Sequence, residues 1–238
     1  MPNFAIRSEE EEIMDDFSID DAGLHRTLRE LEIINRWLGG NAITIHALKK
    51  VLKQITPSSH KIKIVDLGCG SGNMLRLIHD NFGENFNLEL IGIDANAAVV
   101  RHAQEQNDNQ YPIKYQAVDI LSEKFRTEKY DIVLCTLFLH HFPEKILIEI
   151  LTHLNQQIKK ALIINDLHRH FLAYHSIHLL TALFSRSYMT RYDAKLSLLR
   201  AFSKKEIQDT LKKSGWKNFS IRWKWAFRWA IIGFKESL

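Results

Sequence analysis

Apolar residues recur along this chain in two rhythms, and the change from one to the other divides it. Leu24, Leu28, Leu31, Ile34 and Leu38 fall three or four apart, which predicts a helix with one apolar face. Asp20 or Asp21 stands where that helix would be capped, and Gly39-Gly40 where it would stop. A second helix from about Asn41 carries Ile45, Leu48, Val51 and Leu52, and Pro57-Ser58-Ser59 marks a turn. Residues 1–19 show no rhythm and read as loosely ordered. From Lys61 onward the short apolar runs Ile62–Leu67, Leu88–Ile93, Ile113–Ala117, Asp131–Thr136 and Ala161–Asn165 alternate with amphipathic stretches such as Asn73–Phe82 and Ala97–Gln106. Such strands separated by helices predict βαβ units, hence an α/β fold with a parallel sheet buried on both faces.

After the fifth strand the alternation breaks. Residues 171–202 read as a helical insertion that carries aromatics. Ser203-Lys204-Lys205-Glu206 is a capping box opening a helix that Gly215 closes. Phe219–Trp225 and Phe227–Phe234 alternate apolar and basic residues around a tight link, which predicts an antiparallel hairpin. Ile221, Trp223 and Trp225 would face inward, with Arg222 and Lys224 outward.

Composition adds bounds. The 238 residues are 45% hydrophobic and 25% charged, enough for a sizeable core without staples. Two cysteines, Cys69 and Cys135, lie in apolar segments and form no metal or disulfide spacing, which points to a reducing, cytoplasmic setting. No signal peptide is expected behind the acidic Glu9–Glu12, and no run approaches the ~18 apolar residues of a spanning helix. The net charge of +4 hides an asymmetry between an acidic start and a basic final quarter. That basic tail reads as a solvated face, with nucleic acid or peripheral contact to an anionic membrane as the other readings.

The chemistry is carried by the end of the first strand, Asp66-Leu67-Gly68-Cys69-Gly70-Ser71-Gly72-Asn73. Glycines let the backbone turn tightly and approach a ligand with no Cβ in the way. The helix beginning near Asn73 aims its N-terminal amides at the same point. The dinucleotide fingerprint needs glycine at its sixth position, where this chain has Asn73; the third glycine comes one place early, at Gly72. No Gly-Lys-Ser/Thr follows, which excludes an NTPase phosphate loop. Asp94, 22 residues beyond Gly72 and at a strand end, is placed to accept two hydrogen bonds from a ribose diol. Asp119 is placed to accept from an exocyclic adenine amine.

Asp66-x-Gly68-x-Gly70-x-Gly72, followed by Asp94 and Val118-Asp119-Ile120, resembles the class I S-adenosylmethionine (SAM)-dependent methyltransferases. Tyr130–Cys135 is similar to that family's fourth strand, and the terminal hairpin to its sixth and seventh. The likeness spans residues 60–166 and 204–238. It implies a Rossmann-like, doubly wound sheet of seven mostly parallel strands with an antiparallel C-terminal strand. The expected segments are a helical lid (1–57), a SAM-binding core (58–166), a helical cap (167–202) and a C-terminal helix with hairpin (203–238). The resemblance implies that Gly68, Cys69, Gly70, Gly72 and Asn73 surround the methionine part of SAM and that Asp66 orients the loop and the amino group. By the same resemblance Asp94 and Ala95 meet the ribose, Asp119 and the Ile120 amide hold adenine, and Thr136 and Leu137 line the methionine side.

An acceptor OH or NH needs somewhere to send its proton, and in open α/β sheets ligands sit beyond the C-terminal strand ends. After the fourth strand comes Leu139-His140-His141-Phe142, which offers His140 or His141. After the fifth comes Asp166-Leu167-His168-Arg169-His170; if extended, Asp166, His168 and His170 share one side. That predicts a base at His168 or His170 oriented by Asp166, with Arg169 holding an anionic or phenolate acceptor. No bound metal is expected, because divalent-metal catechol methyltransferases carry a carboxylate where this chain has Thr136. Phe171, Tyr174, His175, His178, Phe184 and Tyr188 are placed to roof the acceptor pocket. Asp166–His170 and Leu199–Phe202 are similar to stretches in bacterial methyltransferases acting on polyketide-like or phenolic lipid products. The expected partner is therefore a small-molecule acceptor methylated on oxygen, by a monomer or homodimer. Two alternatives stand beside it: an RNA methyltransferase, suggested by the basic, tryptophan-containing tail, and a non-catalytic SAM-binding protein. Against nucleic acid, Asn/Asp-Pro-Pro-Tyr and a Pro-Cys nucleophile are both absent.

Overall fold

β1 (Ile62–Leu67) lies in the interior of a sheet whose seven strands are ordered β3-β2-β1-β4-β5-β7-β6. The others are β2 (Leu88–Asp94), β3 (Ile113–Ala117), β4 (Tyr130–Thr136), β5 (Ile158–Leu167), β6 (Asn218–Lys224) and β7 (Arg228–Phe234). The computed structural model describes residues 2–55 and 60–235, so the expected turn at Pro57-Ser58-Ser59 lies outside the described residues. β1 to β5 pair in parallel, while β7 runs antiparallel between β5 and β6. This is the doubly wound Rossmann-like arrangement expected from the alternation of strands and helices.

Both faces are covered, which is why the central strands are apolar throughout rather than alternating. On one face Leu48 and Val51 of α2 (Gly40–Leu52) and Leu75 and Ile78 of α3 (Asn73–Phe82) pack on Ile64, Leu90 and Ile132, with α4 (Ala97–Asn107) alongside. On the other, α6 (Glu144–Gln157) and α9 (Lys204–Lys213) bring Leu147, Leu151, Ile207 and Leu211 against Val65, Val133 and Leu162. Each such fully buried side chain contributes roughly 1.5–3 kcal/mol. The short α5 (Glu123–Arg126) lies between β3 and β4. Asp21 caps α1 (Ala22–Trp37) and Ser203 with Glu206 forms the capping box of α9, both as their side-chain chemistry predicts.

Two expectations fail. Residues 2–19 are not loose: they form a strap across the C-terminal ends of the strands. Arg7 anchors it on the carbonyls of Arg200, His140 and Phe142, and the Asp193 carboxylate accepts from the Ile13 and Met14 amides at 2.8 and 3.1 Å. The hairpin tryptophans do not point inward. Trp223 and Trp225 are 49% and 74% exposed, because they lie at the outer edge strand and its turn at Ala226-Phe227. β7, held between two strands, supplies the buried Trp229, Ile231 and Ile232 instead.

Candidate active site

The glycine loop sits on the end of β2, where the amides of Gly68 and Cys69 donate to the Ile93 carbonyl at 2.9 and 3.1 Å. Gly68 and Gly72 have φ of +68° and +75°, a region open to glycine. A Cβ on Gly68 would lie 2.3 Å from the Phe138 ring, and one on Gly72 would lie 2.3 Å from the Tyr115 hydroxyl. Gly70 is different: its Cβ would meet only Leu28, at 4.0 Å, so its open side faces space rather than packing. Beside the loop Asp94 accepts from the Gly70 amide at 3.3 Å and the Asn96 amide at 3.1 Å. Burial pushes the Asp94 carboxyl up, and burial with the nearby Asp94 pushes the enclosed Asp66 carboxyl well up. Asp66 Oδ1 is buried without a hydrogen-bond partner.

α1 lies over this cradle. Glu32 accepts from Ser71 Oγ at 2.8 Å and from Asn73 Nδ2 at 2.6 Å, bolting helix to loop. Leu24 and Leu28 pack on Ala98 and Val99 of α4. Ala95 is exposed beside Asp94. Asp119 is also exposed, its carboxylate accepting from the Leu121 amide at 2.8 Å just past β3, with Ile120 half-buried beside it. Thr136 meets Thr44 at 3.2 Å, and Leu137 takes φ of +53°, turning the chain so that Phe138 closes on Gly68.

The acceptor side departs from the spacing-based expectation. Asp166 does not orient His168 or His170. It is the neighbour of β4 through the β5 pairing, so its carboxylate accepts from His140 Nδ1 at 2.7 Å and from the Leu139 and His140 amides at 2.9 and 3.3 Å. Burial alone would raise Asp166, but His140 and these bonds outweigh it and hold the carboxyl below its usual range. Arg169 is not free to hold an acceptor. Its guanidinium is spent on the Phe4 and Ala201 carbonyls at 3.0 and 2.5 Å and on Glu206 at 2.6 Å. His170 caps α7 (Phe171–Phe184) by accepting from the Leu172 amide. His168 packs on Trp229, leaving its buried Nδ1 unpartnered; burial and His170 hold the ring below its usual range.

His141 is the ionisable side chain of this group that combines access with orientation. It is 23% exposed on its side chain, and its Nδ1 lies 2.7 Å from Asp15 Oδ1. Burial would raise Asp15, yet the bond to His141 and the charges of His141 and Arg200 bring it down to about 2. Arg200 of α8 (Tyr188–Arg200), itself buried, bonds Asp15 Oδ2 at 2.7 Å and the His141 carbonyl. The His140 ring packs against it at a tilt of 32°, ring centroids 4.3 Å apart. Glu12 completes the group: its Oε1 is buried, has no hydrogen-bond partner, and lies 3.7 Å from His140 Nε2 and 3.9 Å from His141 Nδ1. Burial pushes its carboxyl up to about 7.

Glu12, His140 and His141 bring one ligand atom each within 4.8 Å of one another, a set with the chemistry to hold a metal ion. However, both Nδ1 atoms are committed to carboxylates, and the Arg200 guanidinium already supplies the positive charge that Asp15 needs. Glu12, Asp15 and Arg200 are the residues that sequence spacing missed as site residues, while His140, a candidate base by sequence, is instead fixed by Asp166 beside His141. The signals are the acidic run Glu9–Glu12, which belongs to a strap with no periodicity, and Arg200 within the Leu199–Phe202 stretch.

Residues 64–161 match a family profile described as a methyltransferase domain. No curated protein sequence matches the chain. Among solved structures it is similar to the plantazolicin methyltransferase BpumL in complex with S-adenosylhomocysteine, with a TM-score of 0.63 and 17% identity over 94% of this chain and 89% of that one. It is also similar to magnesium protoporphyrin IX methyltransferase (ChlM) from Synechocystis PCC 6803, at a TM-score of 0.58 and 16% identity over 84% and 85% of the two chains. The CurJ carbon methyltransferase gives a TM-score of 0.61 and 18% identity, covering 82% of this chain and 54% of that one. At these identities the likeness concerns the fold.

Proposed function

We propose, on the premise that this chain is a class I SAM-dependent methyltransferase, that it methylates an oxygen of a small phenolic or polyketide-like lipid acceptor, using His141 as the proton acceptor. The observation that carries this reading is a part-exposed, carboxylate-oriented histidine just past the end of β4, on the same C-terminal side of the sheet as the glycine cradle and Asp94. The cradle fits the cofactor: Asp66 Oδ1 is buried without a partner, and Gly70 has an open side. Asp66 and the loop amides would hold the amino-acid end, Asp94 the ribose and Asp119 the adenine.

When bound, SAM supplies a methyl carbon on a sulfonium; the acceptor oxygen forms the new C–O bond as the C–S bond breaks, leaving S-adenosylhomocysteine. The chain's own residues handle the proton. Asp15 accepts the His141 Nδ1–H, which in the neutral ring leaves the Nε2 lone pair free for the acceptor hydroxyl proton. Arg200 fixes Asp15, and His140, fixed by Asp166, limits rotation of the His141 ring. Holding acceptor and methyl donor in line supplies the remaining acceleration. A second reading rests on the unpartnered Nδ1 of His168, whose lowered basicity keeps that ring neutral.

The test is incubation with methyl-labelled SAM and a panel of alkylphenols, following label transfer and release of S-adenosylhomocysteine. His141→Ala is expected to lower turnover roughly 10²–10⁴-fold with SAM affinity unchanged, and His168→Ala to stay near wild type. Wild-type turnover by His141→Ala together with loss in His168→Ala would move the base to β5.

A further inference from the structure

Of the aromatics expected to roof the acceptor pocket, Phe171, Phe184 and Tyr188 are exposed, whereas Tyr174 packs edge-on against Phe4 of the strap. α7 contains no Asp, Glu, Lys or Arg along its 14 residues, and of these only Ala173 and Thr181 are buried. Leu179, Leu183 and Phe184 are 61%, 67% and 67% exposed, and Phe171 and Leu172 about half exposed. The apolar surface continues past both ends of the helix. Exposed Trp37 of α1 stands edge-on to Phe184. At the other end His170 stacks on Phe171 and Phe227, and Phe227 meets Trp223 at the hairpin that also exposes Trp225. A contiguous apolar surface of this kind on a soluble domain marks a docking face.

The charge around it selects the partner. Residues 168–192 and 218–235 contain no Asp or Glu, while Arg186, Arg191, Arg222 and Lys224 lie within them. Glu30, which approaches this surface, is occupied by Ser185 and the Arg186 amide. A second copy would bring like charges together across the contact. An anionic lipid headgroup layer complements the basic rim, and its acyl boundary takes the leucines and aromatics. A helix of 14 residues is too short to span and would lie in the interface plane, with Trp37, Trp223 and Trp225 at headgroup depth.

We propose that α7, with the end of α1 and the β6–β7 hairpin, forms a peripheral docking surface for anionic membranes. This is independent of the methyl-transfer reading, since the docking surface includes none of the residues assigned to the cofactor or the proton.

Co-sedimentation with vesicles tests it directly, without cofactor or acceptor. Wild type is expected to bind equimolar phosphatidylcholine–phosphatidylglycerol vesicles and to bind pure phosphatidylcholine roughly tenfold or more weakly. The double variant Leu179→Glu/Leu183→Glu, at exposed positions that preserve the fold, should lose binding, and Arg186→Glu/Lys224→Glu should weaken it and remove its salt dependence. His141→Ala should bind as wild type. Equal binding by wild type and the leucine variant would overturn the proposal. So would a wild-type dimer that ignores vesicles and becomes monomeric in that variant, which would assign the surface to a second copy.

Discussion

Asp15→Asn removes one charge and tests the proton-handling half of the site. In the folded protein the Asp15 carboxylate accepts from His141 Nδ1 and Arg200 at 2.7 Å each, and from the Glu12 amide at 3.1 Å. The asparagine amide nitrogen cannot accept from His141, and its oxygen competes for the stronger donor Arg200. The imidazole then takes the opposite tautomer, with Nε2 carrying a hydrogen where the reaction needs a lone pair. The rate should fall roughly 10²–10⁴-fold while SAM affinity holds within about twofold. Stability should fall too. The drop from 3.8 to about 2 corresponds to about 2 kcal/mol, less what solvent screens at a carboxylate 23% exposed. For a chain of this size that is a Tm decrease of roughly 4–8 °C. Because folding lowers this pKa, the contribution is complete above the unfolded value near ~4 and disappears as pH falls through about 2. Differential scanning fluorimetry from pH 7 downward should therefore show the gap between wild type and variant closing toward pH 2. A folded variant that keeps wild-type turnover with the wild-type pH profile would refute the assignment of Asp15 and His141.

Asp66→Asn should stabilise the ligand-free protein at neutral pH but not near pH 4, since burial raises the folded pKa and its penalty on the charged form grows as pH rises above the unfolded value. Thermal midpoints at the two pH values check this, and an unchanged midpoint at pH 7 would contradict it. The same variant should bind SAM more weakly. Arg169→Ala should lower stability by about 2–4 kcal/mol and speed proteolysis of residues 2–19, because the guanidinium ties the strap to Ala201 and Glu206. A rise in acceptor KM with unchanged stability would instead restore Arg169 to the acceptor.

The glycine cradle was legible as a structural feature because it is local. Loop, strand end and helix start occupy consecutive residues, and glycine at Gly68 and Gly72 answers a backbone conformation and a close ring that short-range pattern can signal. The sheet was legible for a similar reason, since strands buried on both faces are apolar throughout. The acceptor half is built from long-range contacts that no period encodes. Asp166 and His140 meet only because β4 and β5 are neighbours in parallel register. Glu12 and Asp15 arrive on a strap whose polar sequence looks like a solvated tail, and it is the Arg200–Asp15 ion pair and the bonds from Arg7 to backbone carbonyls that hold it. The inward reading of Trp223 and Trp225 failed because alternation gives a face and does not say whether anything covers it.

Isothermal titration calorimetry of the purified chain with S-adenosylhomocysteine and with NAD, on wild type and Asp94→Ala, bears most directly on the central claim. A bound ribose diol would donate two hydrogen bonds to the Asp94 carboxylate, and bonds to a charged group are worth about 1.5–3 kcal/mol each, so Asp94→Ala should weaken S-adenosylhomocysteine roughly a hundredfold or more while NAD gives no binding heat. Undiminished affinity in folded Asp94→Ala, or saturable binding of NAD in place of S-adenosylhomocysteine, would contradict it.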